Sequence, residues 1–91
     1  MNIYQRNYEA IKKRGLITKE TDDLDFWFKL CEEKDEVLQA LRNKDEANLT
    51  EEITDLMNVC SNWLQHKGID PEKALESCAF KNESRIKNNS K

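Results

Sequence analysis

Two pairs of acids, Glu33-x-x-Glu36 and Glu52-x-x-Asp55, are the residues whose type and spacing most directly suggest chemistry. Residues three apart on a helix are surface neighbours, so each pair can converge on one cation. A ligand set made only of carboxylate oxygen suits a hard divalent ion, Mg²⁺ or Mn²⁺. The same spacing is also common on plain solvated helices. What separates the two readings is where each acid stands relative to the apolar residues of its helix.

Setting successive residues about 100° apart around the axis places Glu33 in line with Phe26, Leu30, Val37 and Ala40. Glu36 falls about 60° to one side by the same rule. In the next helix Glu52 falls among Leu56, Val59 and Trp63, with Asp55 again about 60° off on the same side. Each helix thus carries one acid inside its apolar face and a second on the edge. A carboxylate withdrawn from water without a partner costs several kcal/mol, so such acids are paired with cations or hold a metal. Lys29 and Lys34 are the nearest cations on the first helix, and the second has no Lys or Arg between Leu49 and His66. A metal site and a solvated acidic face both remain open on this pattern.

Other chemistries fit less well. A di-iron carboxylate bundle needs Glu-x-x-His pairs, and the lone His66 follows neither Glu33 nor Glu52 at that spacing, reading instead as a surface or helix-end residue. Cys31, Cys60 and Cys78 are widely spaced with no CxxC pair. They read as buried thiols in a reducing compartment. Phe26, Trp27, Phe28 and Trp63 read as packing residues, any one of which is available to wall a base pocket.

Four helices must position these groups. Tyr4, Tyr8 and Ile11 share a helical face over residues 2–14, which end in Lys12-Lys13-Arg14 before Gly15. The second and longest helix is expected over 22–43, with Thr18 or Thr21 as N-cap. A third follows, capped by Asn48 in a box with Glu51 or by Thr50, and runs to residue 67 before Gly68. Asp70-Pro71 starts a fourth over 71–86. The domain thus divides into an N-terminal helix and connection (1–17), a core (22–86) and a frayed tail (87–91).

The chain has 91 residues, 37% hydrophobic and 36% charged, with 2 Gly and 1 Pro and a net charge of −3. So few breakers favour long helices over a sheet, so the fold class is all-α with a central antiparallel helical hairpin. The acidic balance gives no footprint for nucleic acid. No segment is apolar enough for a membrane span or a signal peptide, so a cytoplasmic setting is expected. On the second helix Leu24, Trp27, Cys31 and Leu38 form another apolar flank, too wide for one small partner. Two hairpins are expected to pair into a bundle, as a homodimer or homotetramer.

These residues resemble a family. Lys29-Leu30-Cys31-Glu32-Glu33-Lys34-Asp35-Glu36 is similar to the first acidic helix of MazG-like all-α NTP pyrophosphohydrolases, a group that includes the dimeric dUTPase-like enzymes. Glu51-Glu52-Ile53-Thr54-Asp55-Leu56 resembles their second, and fifteen residues separate Glu36 from Glu52, as a short hairpin requires. Gly68 to Leu75, followed by Lys81-Asn82-Glu83-Ser84-Arg85, resembles the closing segment. The likeness spans residues 22–85. It departs from the family at Asp35 and Thr54, where small residues are common.

The resemblance implies that Glu33, Glu36, Glu52 and Asp55 ligate Mg²⁺ and carry catalysis. It also implies that Lys81 and Arg85, with Asn82, touch the phosphates, where the alternative is an ordinary cationic helix end. Asn58, one turn beyond Asp55, points to the polar side of the same region and reads first as a solvated Asn, with orienting substrate as its candidate role. The implied reaction is hydrolysis of an NTP or dNTP to its monophosphate and pyrophosphate, in nucleotide-pool cleansing. The rival from another class is a non-catalytic helical interaction module.

Overall fold

The computed structural model describes residues 1–87 of the chain. Four helices follow one another: α1 (Ile3–Lys13), α2 (Asp23–Arg42), α3 (Glu46–His66) and α4 (Pro71–Lys87). No strand occurs among the described residues. The all-α expectation holds, with helix bounds within a few residues of those read from the sequence. α4 includes Lys87, the first residue of the tail expected over 87–91, and the rest of that tail lies outside the described residues.

Two expected caps are displaced by aspartates. Asp22 caps α2, its carboxylate accepting from Asp25 N at 3.0 Å while Asp25 accepts from Asp22 N at 3.0 Å. Thr18 and Thr21 instead knit the preceding turn, Thr21 Oγ1 accepting from Thr18 N at 2.9 Å. α3 begins before Asn48 and Thr50, because the Asp45 carboxylate accepts from Asn48 N at 3.1 Å. An ionised acceptor at a helix N-terminus also meets the positive end of the helix dipole, an advantage no hydroxyl or amide has. At α4 the expected cap is present, with Asp70 Oδ1 accepting from Glu72 N at 3.0 Å.

The α2–α3 turn is tight. Lys44 N–H donates to Leu41 O and Asp45 N–H to Ala40 O, closing a Schellman motif. That motif puts Lys44 at φ 53°, a left-handed position that favours glycine, so the chain spends some stability on this corner.

α2 and α3 run antiparallel. Residues near the start of α2 meet the end of α3: Phe26 stacks on Trp63 with ring centroids 6.0 Å apart. In mid-helix Glu33 faces Glu52, the steps along the two helices running in opposite directions. The contact face of α2 is the one read from the sequence: Phe26, Glu33 and Ala40 are buried, and Leu30 and Val37 are partly so. Val59 answers them from α3, and Ile17 from the α1–α2 connection completes a small core. α1 docks on α3, where Gln65 Nε2 donates to Tyr4 O at 3.0 Å.

In an antiparallel pair, equal rotations away from the contact line face the same side. Lys29, Glu32 and Glu36 of α2 therefore share a side with Asp55, Asn58 and Asn62 of α3, the side on which α1 sits. The opposite side is apolar and uncovered by the described residues: Leu24, Trp27, Leu38 and Leu41 of α2 and Ile53 and Met57 of α3 are all exposed. That uncovered flank corrects the cysteine expectation. Cys60 is exposed on it and Cys78 is exposed on α4, while Cys31 is half-buried.

α4 touches the rest through its first turns, with Pro71 buried and Ala74 half-buried, and beyond them its described side chains are exposed. No helix among the described residues is long and apolar enough to cross a membrane.

Candidate active site

The carboxylates of Glu33, Glu36 and Glu52 converge, each offering an oxygen within 4.8 Å of the others. Glu33 sits in the interface at 7% exposure, Glu52 is half-buried, and Glu36 and Asp55 are exposed at its edge. This is the one-in, one-on-the-edge arrangement that helical spacing predicts. Asp55 stands outside the tight cluster but lines, with Glu33, a cleft of about 740 Å³ bounded by α1, α2 and α3.

The electrostatics of Glu33 follow from this crowding. Burial pushes its pKa above the ordinary carboxylate value, and the neighbouring Glu36 carboxyl pushes in the same direction. Lys29 opposes both, its Nζ lying 3.3 Å from Glu33 Oε1 and 3.4 Å from Glu32 Oε2. Desolvation pulls the Lys29 ammonium down, but the two glutamates outweigh it, so its pKa lies above the usual value. The cation reading weighed for these acids is therefore realised on one oxygen only.

The other oxygen is left over. No described group donates to Glu33 Oε2, to Glu52 Oε2, or to Oδ1 of Asn58 and Asn62, all four being buried. Buried polar atoms are nearly always partnered, and four orphans on one side of one interface ask for something the chain does not supply. For the carboxylates a bound cation would supply the missing partner. One lysine cannot neutralise three converging acids, and an all-oxygen donor set of this kind fits Mg²⁺ or Mn²⁺.

Other predicted residues fall elsewhere. Lys81, Asn82 and Arg85 are exposed on α4 and do not line the cleft, because α4 leaves the hairpin after its first turns. Asn82 Nδ2 lies 3.8 Å from Cys78 Sγ, a contact within its own helix. The two departures from the family pattern point away from the cleft. Asp35 is exposed beside Lys34, 3.8 Å away, and Thr54 Oγ1 donates to Thr50 O at 2.8 Å. His66 is a helix-end residue as expected, but a bonded one: its Nε2 lies 2.7 Å from Thr21 O and its Nδ1 2.9 Å from Tyr8 O–H. A carbonyl only accepts, so Nε2 carries the proton and donates to Thr21.

The cleft also contains residues to which sequence reasoning gave no site role, Arg14, Ile17 and Asn62, together with Phe28, held available to wall a base pocket, and Lys29, weighed as a cation for the acids. Asn62 was within reach of the same helical arithmetic, since it follows Asn58 by one turn. Arg14 and Ile17 lie outside any helix and carried no such signal.

Residues 9–82 match the family of phosphoribosyl-ATP pyrophosphohydrolase, and the chain belongs to that family. It is a family of hydrolases acting on phosphoric anhydrides and a branch of the MazG-like all-α superfamily, as the acidic helices indicated. No curated protein and no solved structure matches the chain.

Proposed function

We propose that this member of the pyrophosphohydrolase family hydrolyses the anhydride between the α- and β-phosphates of an NTP or dNTP. Water and the triphosphate give a nucleoside monophosphate and pyrophosphate. Glu33, Glu36, Glu52 and Asp55 would hold the divalent cation, Mg²⁺ or Mn²⁺. Such an ion supplies charge neutralisation to a polyphosphate and makes water acidic enough to attack near neutral pH.

The chain's own groups set the rest. Glu33 and Glu52, inside the interface, fix the centre of negative charge, while Glu36 and Asp55 at the edge have the exposure to accept a proton from attacking water. Lys29 at the wall of the cleft restrains Glu33 and presents positive charge toward an anionic substrate. Lys81, Asn82 and Arg85 reach phosphates only if α4 of a second copy closes over the cleft. The exposed apolar flank of the hairpin, on the side away from the cleft, supports pairing into a homodimer or homotetramer. A monomer at micromolar concentration by light scattering would contradict it.

The single observation that carries this reading is the set of orphaned carboxylate oxygens on converging acids. The test is pyrophosphate release from the common NTPs and dNTPs and from phosphoribosyl-ATP, the substrate in the family's name, with and without Mg²⁺. Cation-dependent release from one or more triphosphates is expected, and the profile separates pool cleansing from a dedicated biosynthetic step. An inactive protein whose melting temperature ignores Mg²⁺ would favour a non-catalytic helical interaction module.

A further inference from the structure

The cleft does not stop at the acids. Asn58 and Asn62 follow Asp55 by three and seven residues, about 4.5 and 10.5 Å further along the α3 axis at about 1.5 Å per residue. Both line the cleft, and both present a buried Oδ1 to which no described group donates. Asn62 is the extreme case, at 4% exposure. Ile11, Ile17 and Phe28 give the same cleft apolar wall, beside the charged Arg14, Asp25 and Lys29. Apolar wall beside an oriented, unpartnered amide is what a flat heteroaromatic ring occupies, held by its faces and read at its edge.

Resting on the pyrophosphohydrolase reading above, we infer that Asn62 reads the base of the nucleotide. Its Oδ1 accepts from a ring or exocyclic N–H at the base edge. Asn58, nearer the acids, lies where the sugar connects base to phosphates. A site that must hydrogen-bond its ligand discriminates strongly, because a wrong ligand leaves the buried amide unpaired. In the free protein that same amide is a liability, so it has no structural reason to be there.

The test compares the parent with Asn62→Leu and Asn62→Ala. Three quantities are measured: kcat/KM over the eight common NTPs and dNTPs with Mg²⁺, affinity for the matching monophosphates and for inorganic pyrophosphate, and melting temperature. For the preferred base, kcat/KM and monophosphate affinity should each fall about tenfold or more, flattening the base profile. Pyrophosphate affinity should hold, and Asn62→Leu should melt no lower than the parent. A uniform loss across all bases, or an unchanged profile with a lower melting temperature, would overturn the assignment and make Asn62 structural. Should the parent release no pyrophosphate, the hydrolase reading fails by itself, while the monophosphate affinities still decide the role of Asn62. A parent that binds no monophosphate overturns both.

Discussion

The two ends of the α2–α3 contact handle their polar groups in opposite ways. At the end where α2 begins, every group named has a partner. Trp63 Nε1 donates to Asp23 Oδ1 at 2.8 Å, Lys67 Nζ lies 3.3 Å from the same oxygen, and His66 ties Tyr8 to Thr21. Half-way along, the same two helices bury Glu33 and Glu52 with an oxygen of each unmatched, and the cleft side of α3 adds Asn58 and Asn62, the latter one residue from Trp63. One end is closed by the chain for itself. The other is left open at a cost in stability, and such local violations mark the place where a ligand completes the structure.

That contrast can be broken at the open end first. Glu33→Gln keeps the shape of the side chain and removes its charge. Hydrolysis should fall by about a thousandfold, in the range expected for loss of a group central to metal or proton chemistry. Stability without divalent cation should hold or rise, because the variant no longer buries that charge. Stopped assays and melting curves on one preparation check both. Parent-like turnover would remove Glu33 from the site.

At the closed end His66→Ala should act the other way. It strands Tyr8 O–H and Thr21 O and loosens α1 from α3, costing about 1–3 kcal/mol. Denaturant midpoints measure this. The loss should be the same with and without Mg²⁺, since His66 does not line the cleft containing the acids.

The smallest effect is a pair of opposed pH slopes. Glu33 has a raised pKa in the fold, so its contribution to stability is present below its ordinary value of 4.5 and fades as pH rises through the raised one. For Asp23 the Trp63 indole N–H and then Lys67 hold the pKa below its ordinary 3.8, so its contribution is present above that value and fades as pH falls through the lowered one. In cation-free buffer Glu33→Gln should flatten the decline toward neutral pH, and Asp23→Asn the decline toward strong acid. If both variants track the parent across the range, the electrostatic contrast between the ends is wrong.

The fold was legible because the apolar stripes of α2 and α3 repeat over five turns, long enough for helical spacing to fix which residues face inward. Glu33 was caught by that rule, since it occupies a core position between Leu30 and Val37. Thr18, Thr21 and Asn48 lost their capping roles to nearby aspartates, a choice made by local geometry that composition does not rank. The cysteines were misplaced because an apolar flank can face either a neighbouring helix or, as with the exposed Cys60, none of the described residues. Lys81 and Arg85 were out of reach for a related reason. α4 has no long stripe, so its direction rests on Pro71 and Ala74 rather than on periodicity. Arg14 and Ile17 enter the cleft from a connection whose path only tertiary packing sets.

The central claim is tested most directly by the melting temperature of the cation-free parent and of Glu33→Gln as Mg²⁺ is added at neutral pH. A ligand at about a hundred times its Kd stabilises by about 2.7 kcal/mol, and a domain of this size gains roughly 4–8 °C for each kcal/mol. The parent should therefore rise by roughly 10 °C or more while the variant stays nearly flat. Equal shifts in both proteins, or none in the parent, would show that these acids do not gather around a divalent ion.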